Sequence, residues 1–111
     1  MTPEEYYGDT FSLLKQGEEY LKTLMETYAN DWAEDDLQPI LYIKTRIKTP
    51  ESMMEKLRKR GFAEDSHTAL ENMHDAIGIR VICSFVEDVY RIARRLQQRD
   101  DIQILEKKDY I

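Results

Sequence analysis

Along this chain the hydrophobic residues change their period, and each change marks an element. Leu14, Leu21, Met25 and Tyr28 recur at spacings of seven, four and three, which predicts one amphipathic helix over residues 3–29 with Thr2-Pro3-Glu4-Glu5 as its start signal. Residues 30–39, NDWAEDDLQP, read as a polar connection. In ILYIKTRIKT, residues 40–49, Ile43, Thr45 and Ile47 alternate with Lys44, Arg46 and Lys48. A period of two predicts a strand with one core face and one cationic face. Pro50 then opens a helix that runs to Arg60 and is stopped by Gly61. On that helix Met53, Leu57 and Phe62 are expected to face the core, while Ser52, Lys56 and Lys59 or Arg60 share a stripe.

AEDSHTALENM reads as a linker with a short helix, and AIGIRVICSF as a second strand. Residues 86–98 form an amphipathic helix on Val86, Val89, Tyr90, Ala93 and Leu96, and DIQILEKKDYI is expected to be a third strand. Strand, helix, strand, helix, strand predicts a sheet covered by helices. Gly78 beside Arg80 suggests that something approaches the backbone closely there.

Composition narrows the possibilities. A chain of 111 residues with 41% hydrophobic content fits one small globular domain. Its single cysteine, Cys83, excludes an internal disulfide and a multi-cysteine zinc site, and reads as an apolar filler. No apolar run approaches a membrane span, and MTPEEYYGDT is acidic where a secretory signal would be basic and then apolar. The expectation is a cytoplasmic protein without a membrane partner.

Charge is unevenly distributed. The net charge of −6 argues against a general DNA or RNA binder. Yet Lys44 to Arg60 holds seven cations against Glu51 and Glu55, a local excess of five that leaves −11 over the rest. A solvated charged helix would explain such a patch. It would not explain why the cationic strand face and the helix stripe are joined by so short a turn that their charges converge.

These residues admit specific chemistry. Arg80 stands in a run of aliphatics and requires an acidic partner, water or an anionic ligand. Arg46, Lys48, Lys56 and Arg80 could clamp an anion, and the Asp75 carboxylate could hold Mg²⁺, which takes one or two carboxylates with water and phosphate oxygens. Such a set suits a nucleoside triphosphate, because phosphoryl-type transfer asks the protein mainly for positioning and charge neutralisation. Alternatively, Asp75 simply caps or bridges to Arg80. His74-Asp75 as a metal-hydrolase pair lacks the further histidines, Cys83 lacks a base, and the four glycines form no phosphate loop.

Arg46, Lys48, Ser52 and Lys56 spell R-x-K-x-x-x-S-x-x-x-K, and Asp75, Gly78 and Arg80 spell D-x-x-G-x-R, followed by FVEDVYRIARRL and EKKDYI. In this order they resemble the synthetase domain of RelA/SpoT-type alarmone synthetases, especially the stand-alone small ones. The resemblance implies an α+β fold, a nucleotidyltransferase-like mixed sheet covered by helices. A leading helical segment would span residues 1–34, and the synthetase part residues 35–111. It implies transfer of pyrophosphate from ATP to the 3′-hydroxyl of GDP or GTP, giving (p)ppGpp. Arg46 and Arg80 would sandwich the adenine, Lys48, Ser52, Lys56 and Lys59 would engage the phosphates, and catalytic Asp75 would hold Mg²⁺. By analogy, a homo-oligomer such as a tetramer is also implied.

There are departures from the family. Thr45 stands where glycine commonly precedes the motif, and neither the loop whose tyrosine stacks on the acceptor guanine nor the glutamate completing the metal site falls in these residues. The sheet is accordingly expected to be truncated, and the chain to present the donor half of a site with little or no turnover alone. Other readings are a non-catalytic interaction module with this fold and a toxin-like relative acting on tRNA. The −11 balance outside the basic patch disfavours the latter.

Overall fold

Thr2 and Glu5 cap each other. The Glu5 amide donates to Thr2 Oγ1 at 3.2 Å and the Thr2 amide donates to Glu5 Oε1 at 3.0 Å, so two free donors of a helix start are satisfied. The helix they open, α1 (Pro3–Tyr7), is short. Gly8 ends it at φ +59° and ψ −135°, a conformation that residues with a Cβ avoid. The chain resumes in α2 (Thr10–Trp32). The expected single helix over 3–29 is therefore two, broken at Gly8 and extended to Trp32. This computed structural model describes residues 1–33 and 38–109, so part of the expected 30–39 connection lies outside the described residues.

Strand β1 (Ile40–Ile47) pairs antiparallel with β2 (Ile77–Cys83), in a register that sets Ile43 opposite Val81, Thr45 opposite Ile79 and Ile47 opposite Ile77. These pairs form the inward face. It packs on α2 closely enough that a Cβ at Gly17 would come within 2.9 Å of Ile77 Cδ1. The outward face carries Lys44 opposite Arg80 and Arg46 opposite Gly78.

Between the strands lie α3 (Pro50–Lys59) and α4 (Ser66–Asn72). Thr49 caps α3 by accepting the Ser52 amide at 3.2 Å, and Asp65 caps α4 by accepting the Thr68 amide at 2.8 Å. At the end of α3, Gly61 has φ +77°; its amide donates to the Arg58 carbonyl and that of Phe62 to the Leu57 carbonyl. This paired closure takes Phe62 out of the core, correcting the expectation that it faces inward. Last comes α5 (Val86–Gln97), docked on α2 by arginines over aromatic rings: Arg91 lies 4.1 Å from the Trp32 centroid and Arg95 5.2 Å from that of Tyr28.

Two apolar clusters lie along a molecule 50 Å long. Tyr6, Tyr7, Met53, Leu57, Ala69, Met73 and Ala76 join α1, α3 and α4, whereas Leu24, Met25, Tyr28, Trp32, Ile40 and Ile92 join α2, the sheet and α5. Cys83 is half-buried beside the second cluster, as an apolar filler should be, and burial followed by the Asp88 charge pushes its thiol up.

The architecture is α+β, with two antiparallel strands among the described residues. Among the described residues the expected third strand does not form. Residues 102–109 carry no strand and leave Ile104 and Leu105 exposed, while residues 110 and 111 lie outside the described residues. A strand needs a hydrogen-bonding neighbour, and alternation in sequence alone does not supply one.

Gly8→Ala should destabilise the protein by about 1–3 kcal/mol through backbone strain alone, since a Cβ there meets no atom within 4 Å. Urea unfolding checks this; an unchanged midpoint would show that the junction relaxes.

Candidate functional site

Chain direction brings the charged groups together. Lys48 follows the end of β1 and its amide donates to the Ala76 carbonyl at 2.7 Å, one residue past Asp75. The α3 helix starts two residues after Lys48, and its second turn presents Lys56. As a result Asp75 Oδ2 accepts from Lys48 Nζ at 2.9 Å and from Lys56 Nζ at 2.7 Å. The expected alternative, a bridge from Asp75 to Arg80, is not what forms.

Two ammonium groups on one carboxylate leave this knot net positive. Burial pushes the Asp75 carboxyl up, but the hydrogen bonds and charges of Lys56 and Lys48 outweigh it and hold the group at about 2. The side chains of Lys48 and Lys56 are only 17% and 28% exposed. Asp75 Oδ1 is itself buried without a hydrogen-bond partner. An orphaned carboxylate oxygen is costly and suits an added cation.

Beside the knot, Lys48, Ser52, Glu55, Lys56 and Lys59 line a groove of about 240 Å³. Lys59 is pre-engaged by Glu55 at 3.2 Å. Of the two candidates for the last stripe position, Lys59 lines the groove, while Arg60 turns its guanidinium to Met73 Sδ at 3.7 Å.

On the outward sheet face, Lys44, Arg46, Gly78, Ile79 and Arg80 line a second groove of about 320 Å³. Lys44 and Arg80 are directly opposed like charges, an arrangement that costs stability unless an anion or π-system sits between them. Among the described residues, none of Lys44, Arg46 and Arg80 forms an ion pair. What approaches Gly78 is the Arg46 side chain, whose Cγ and Nε would each lie 3.6 Å from a Cβ there. Both guanidiniums are exposed and free to stack.

All seven expected residues thus fall at two grooves or the knot, namely Arg46 and Arg80 on the sheet face, Lys48, Ser52, Lys56 and Lys59 along α3, and Asp75 between the two lysines. Sequence reasoning missed Lys44 as a groove residue, although its place on the cationic face marks it. The donor set also bears on Mg²⁺. Among the described residues no three His, Cys, Asp or Glu cluster, so Asp75 offers one free carboxylate oxygen and bound phosphates or water would supply the rest. That fits a hard cation that arrives with a polyphosphate.

Comparison with known proteins identifies the family. Residues 45–111 match the family described as "Region found in RelA / SpoT proteins". The chain is 40% identical over 73 residues to GTP pyrophosphokinase YwaC of Bacillus subtilis (strain 168), covering 66% of this chain and 35% of that protein. It superposes with a TM-score of 0.73 on small alarmone synthetase 1 of B. subtilis bound to its product pppGpp, at 31% identity, over 88% of this chain and 50% of the other. The same synthetase bound to AMPCPP matches with a TM-score of 0.64 at 29% identity, over 90% and 50% of the two chains. The family match covers more than half of the chain, and this chain belongs to the RelA/SpoT family. It spans about a third of the length of YwaC.

The Asp75 knot has a pH signature. Because the folded carboxyl sits at about 2, below its ordinary 3.8, its stabilising contribution is complete above 3.8 and is lost as pH falls through about 2. Asp75→Asn should remove that part of the acid-side slope while leaving the slope above pH 5 unchanged. Urea titrations across pH 2–5 test this; identical slopes for the two proteins would mean that the lysines do not hold Asp75 in solution.

Proposed function

We propose that this chain carries the donor side of a (p)ppGpp synthetase site, binding ATP for transfer of its β,γ-pyrophosphate to the 3′-hydroxyl of GDP or GTP. The observation that carries this reading is a cationic sheet groove together with a lysine-lined groove whose Lys48 and Lys56 both close on Asp75. Family membership supports it, as do the GTP pyrophosphokinase relative and the synthetase bound to AMPCPP, an ATP analogue.

In this reading adenine lies between the Arg46 and Arg80 guanidiniums, whose flat faces stack while their charge offsets the phosphates. Lys48 and Lys56 turn from Asp75 to phosphate oxygens, with Ser52 and Lys59 completing the grip. Release of the lysines leaves Asp75 as a bare carboxylate. With Oδ1 already lacking a partner, it would hold Mg²⁺, which supplies neutralisation of the polyphosphate charge. In the transfer the acceptor's 3′-oxygen bonds to the β-phosphorus, the α–β bridge breaks, and its oxygen leaves with AMP. The side chains here act by orientation and charge, the main demands of such chemistry.

Calorimetric titration with AMPCPP and Mg²⁺ tests the assignment. Arg46→Ala should weaken binding about tenfold through lost stacking and charge. Omitting Mg²⁺ should weaken binding by wild type and have little further effect on Asp75→Ala. A folded wild-type chain that does not bind AMPCPP would rule out the donor reading and favour a non-catalytic interaction module.

A further inference from the structure

The lysine knot is held from behind by a residue outside the matched segment 45–111. Tyr7 in α1 is 2% exposed, and its hydroxyl donates to the Lys48 carbonyl at 2.7 Å. That carbonyl lies between the end of β1 and the cap of α3, where neither the sheet ladder nor the helix offers it a donor. The amide of the same residue is tied to Ala76 at 2.7 Å. Both backbone polar groups of Lys48 are thereby fixed, one to the segment bearing Asp75 and the other to α1.

The Tyr7 ring shares its buried cluster with Met53 and Leu57, which flank Lys56 on α3, and with Met73 and Ala76, which flank Asp75. A single aromatic side chain therefore hydrogen-bonds Lys48 and shares one apolar cluster with residues close in sequence to Lys56 and Asp75. Burial, then the charges of Tyr6 and Asp75, push the phenol up to about 12, so it remains a donor at any ordinary pH.

We propose that Tyr7 is a positioning residue of the polyphosphate subsite, its hydroxyl setting the direction in which Lys48 leaves the backbone toward Asp75 and the donor phosphates. The phosphate part of this inference rests on the donor reading above; the link from Tyr7 to Lys48 does not.

Its neighbour supplies the control. Tyr6 belongs to the same cluster, meets Tyr7 edge to face at 5.0 Å, and donates an equivalent hydrogen bond at 2.6 Å to the Glu64 carbonyl, in the loop between α3 and α4. Tyr6→Phe and Tyr7→Phe each delete one such bond and preserve the ring. A merely structural role predicts equal consequences for the site.

Both variants are compared with wild type by urea unfolding, by NMR of the lysine side-chain ammonium groups without ligand, and by titration with AMPCPP–Mg²⁺ and with AMP. Tyr7→Phe should displace the Lys48 ammonium resonance and weaken AMPCPP about three- to tenfold, while AMP changes by less than about twofold. Tyr6→Phe should lose similar stability and leave the Lys48 resonance and both affinities near wild type. 4-Aminophenylalanine at position 7, which can still donate, should restore the resonance and the affinity, and it serves as the test should Tyr7→Phe not fold. The proposal is overturned by an unmoved Lys48 resonance in Tyr7→Phe, by equal effects of the two variants, or by failure of the amino analogue to restore the signal. If wild type does not bind AMPCPP, the donor reading fails, while the resonance still decides the role of Tyr7.

Discussion

One carboxylate oxygen organises this protein. Asp75 Oδ2 takes hydrogen bonds from two ammonium groups that arrive on separate elements, Lys48 after β1 and Lys56 on α3, while Asp75 itself precedes β2. With its side chain 43% exposed, the ion triad adds modestly to stability, since solvent screens such pairs. Its larger effect is geometric, because it ties together the three segments that carry Lys48, Lys56 and Asp75. Shared between two cations, it also forms a knot with a net positive charge that a more highly charged anion can reopen.

The rest of the architecture serves that junction. The cluster of α1, α3 and α4 packs beneath the lysine-bearing elements, and the cluster of α2, the sheet and α5 holds the strands whose outer face carries Arg46 and Arg80. Cations on this face stand opposite each other without acidic relief among the described residues, whereas Arg58 pairs with Glu64 at 2.7 Å and Arg99 with Asp101 at 2.8 Å. In the proposed function the unpaired cations of the sheet face are where an anionic ligand would sit.

Much of this was legible in the sequence because its signals are local. The alternation around Lys44, Arg46 and Lys48, the Pro50 start and Gly61 stop, and the four- and three-residue spacing of Ser52, Lys56 and Lys59 each depend on neighbours in the chain, and each element forms where expected. What escaped depends on distant groups. The Gly8 break needs a positive φ that an uninterrupted helical pattern conceals. Phe62 looks like a core residue until the Gly61 turn carries it away. The segment 102–109 has the alternation of a strand but no strand partner among the described residues, and Tyr7 acquires its role from Lys48, forty-one residues ahead. Asp75 was legible as a candidate, but its choice of two lysines over Arg80 follows from the β1–β2 register, which puts Arg80 on the sheet face.

The most direct test is a crystal structure of this chain with AMPCPP and Mg²⁺. Adenine is expected between the Arg46 and Arg80 guanidiniums, phosphate oxygens within hydrogen-bond distance of Lys48 and Lys56 Nζ, and Asp75 released from at least one of the two lysines. Nucleotide bound elsewhere, with Lys48 and Lys56 still closed on Asp75, would contradict the donor reading.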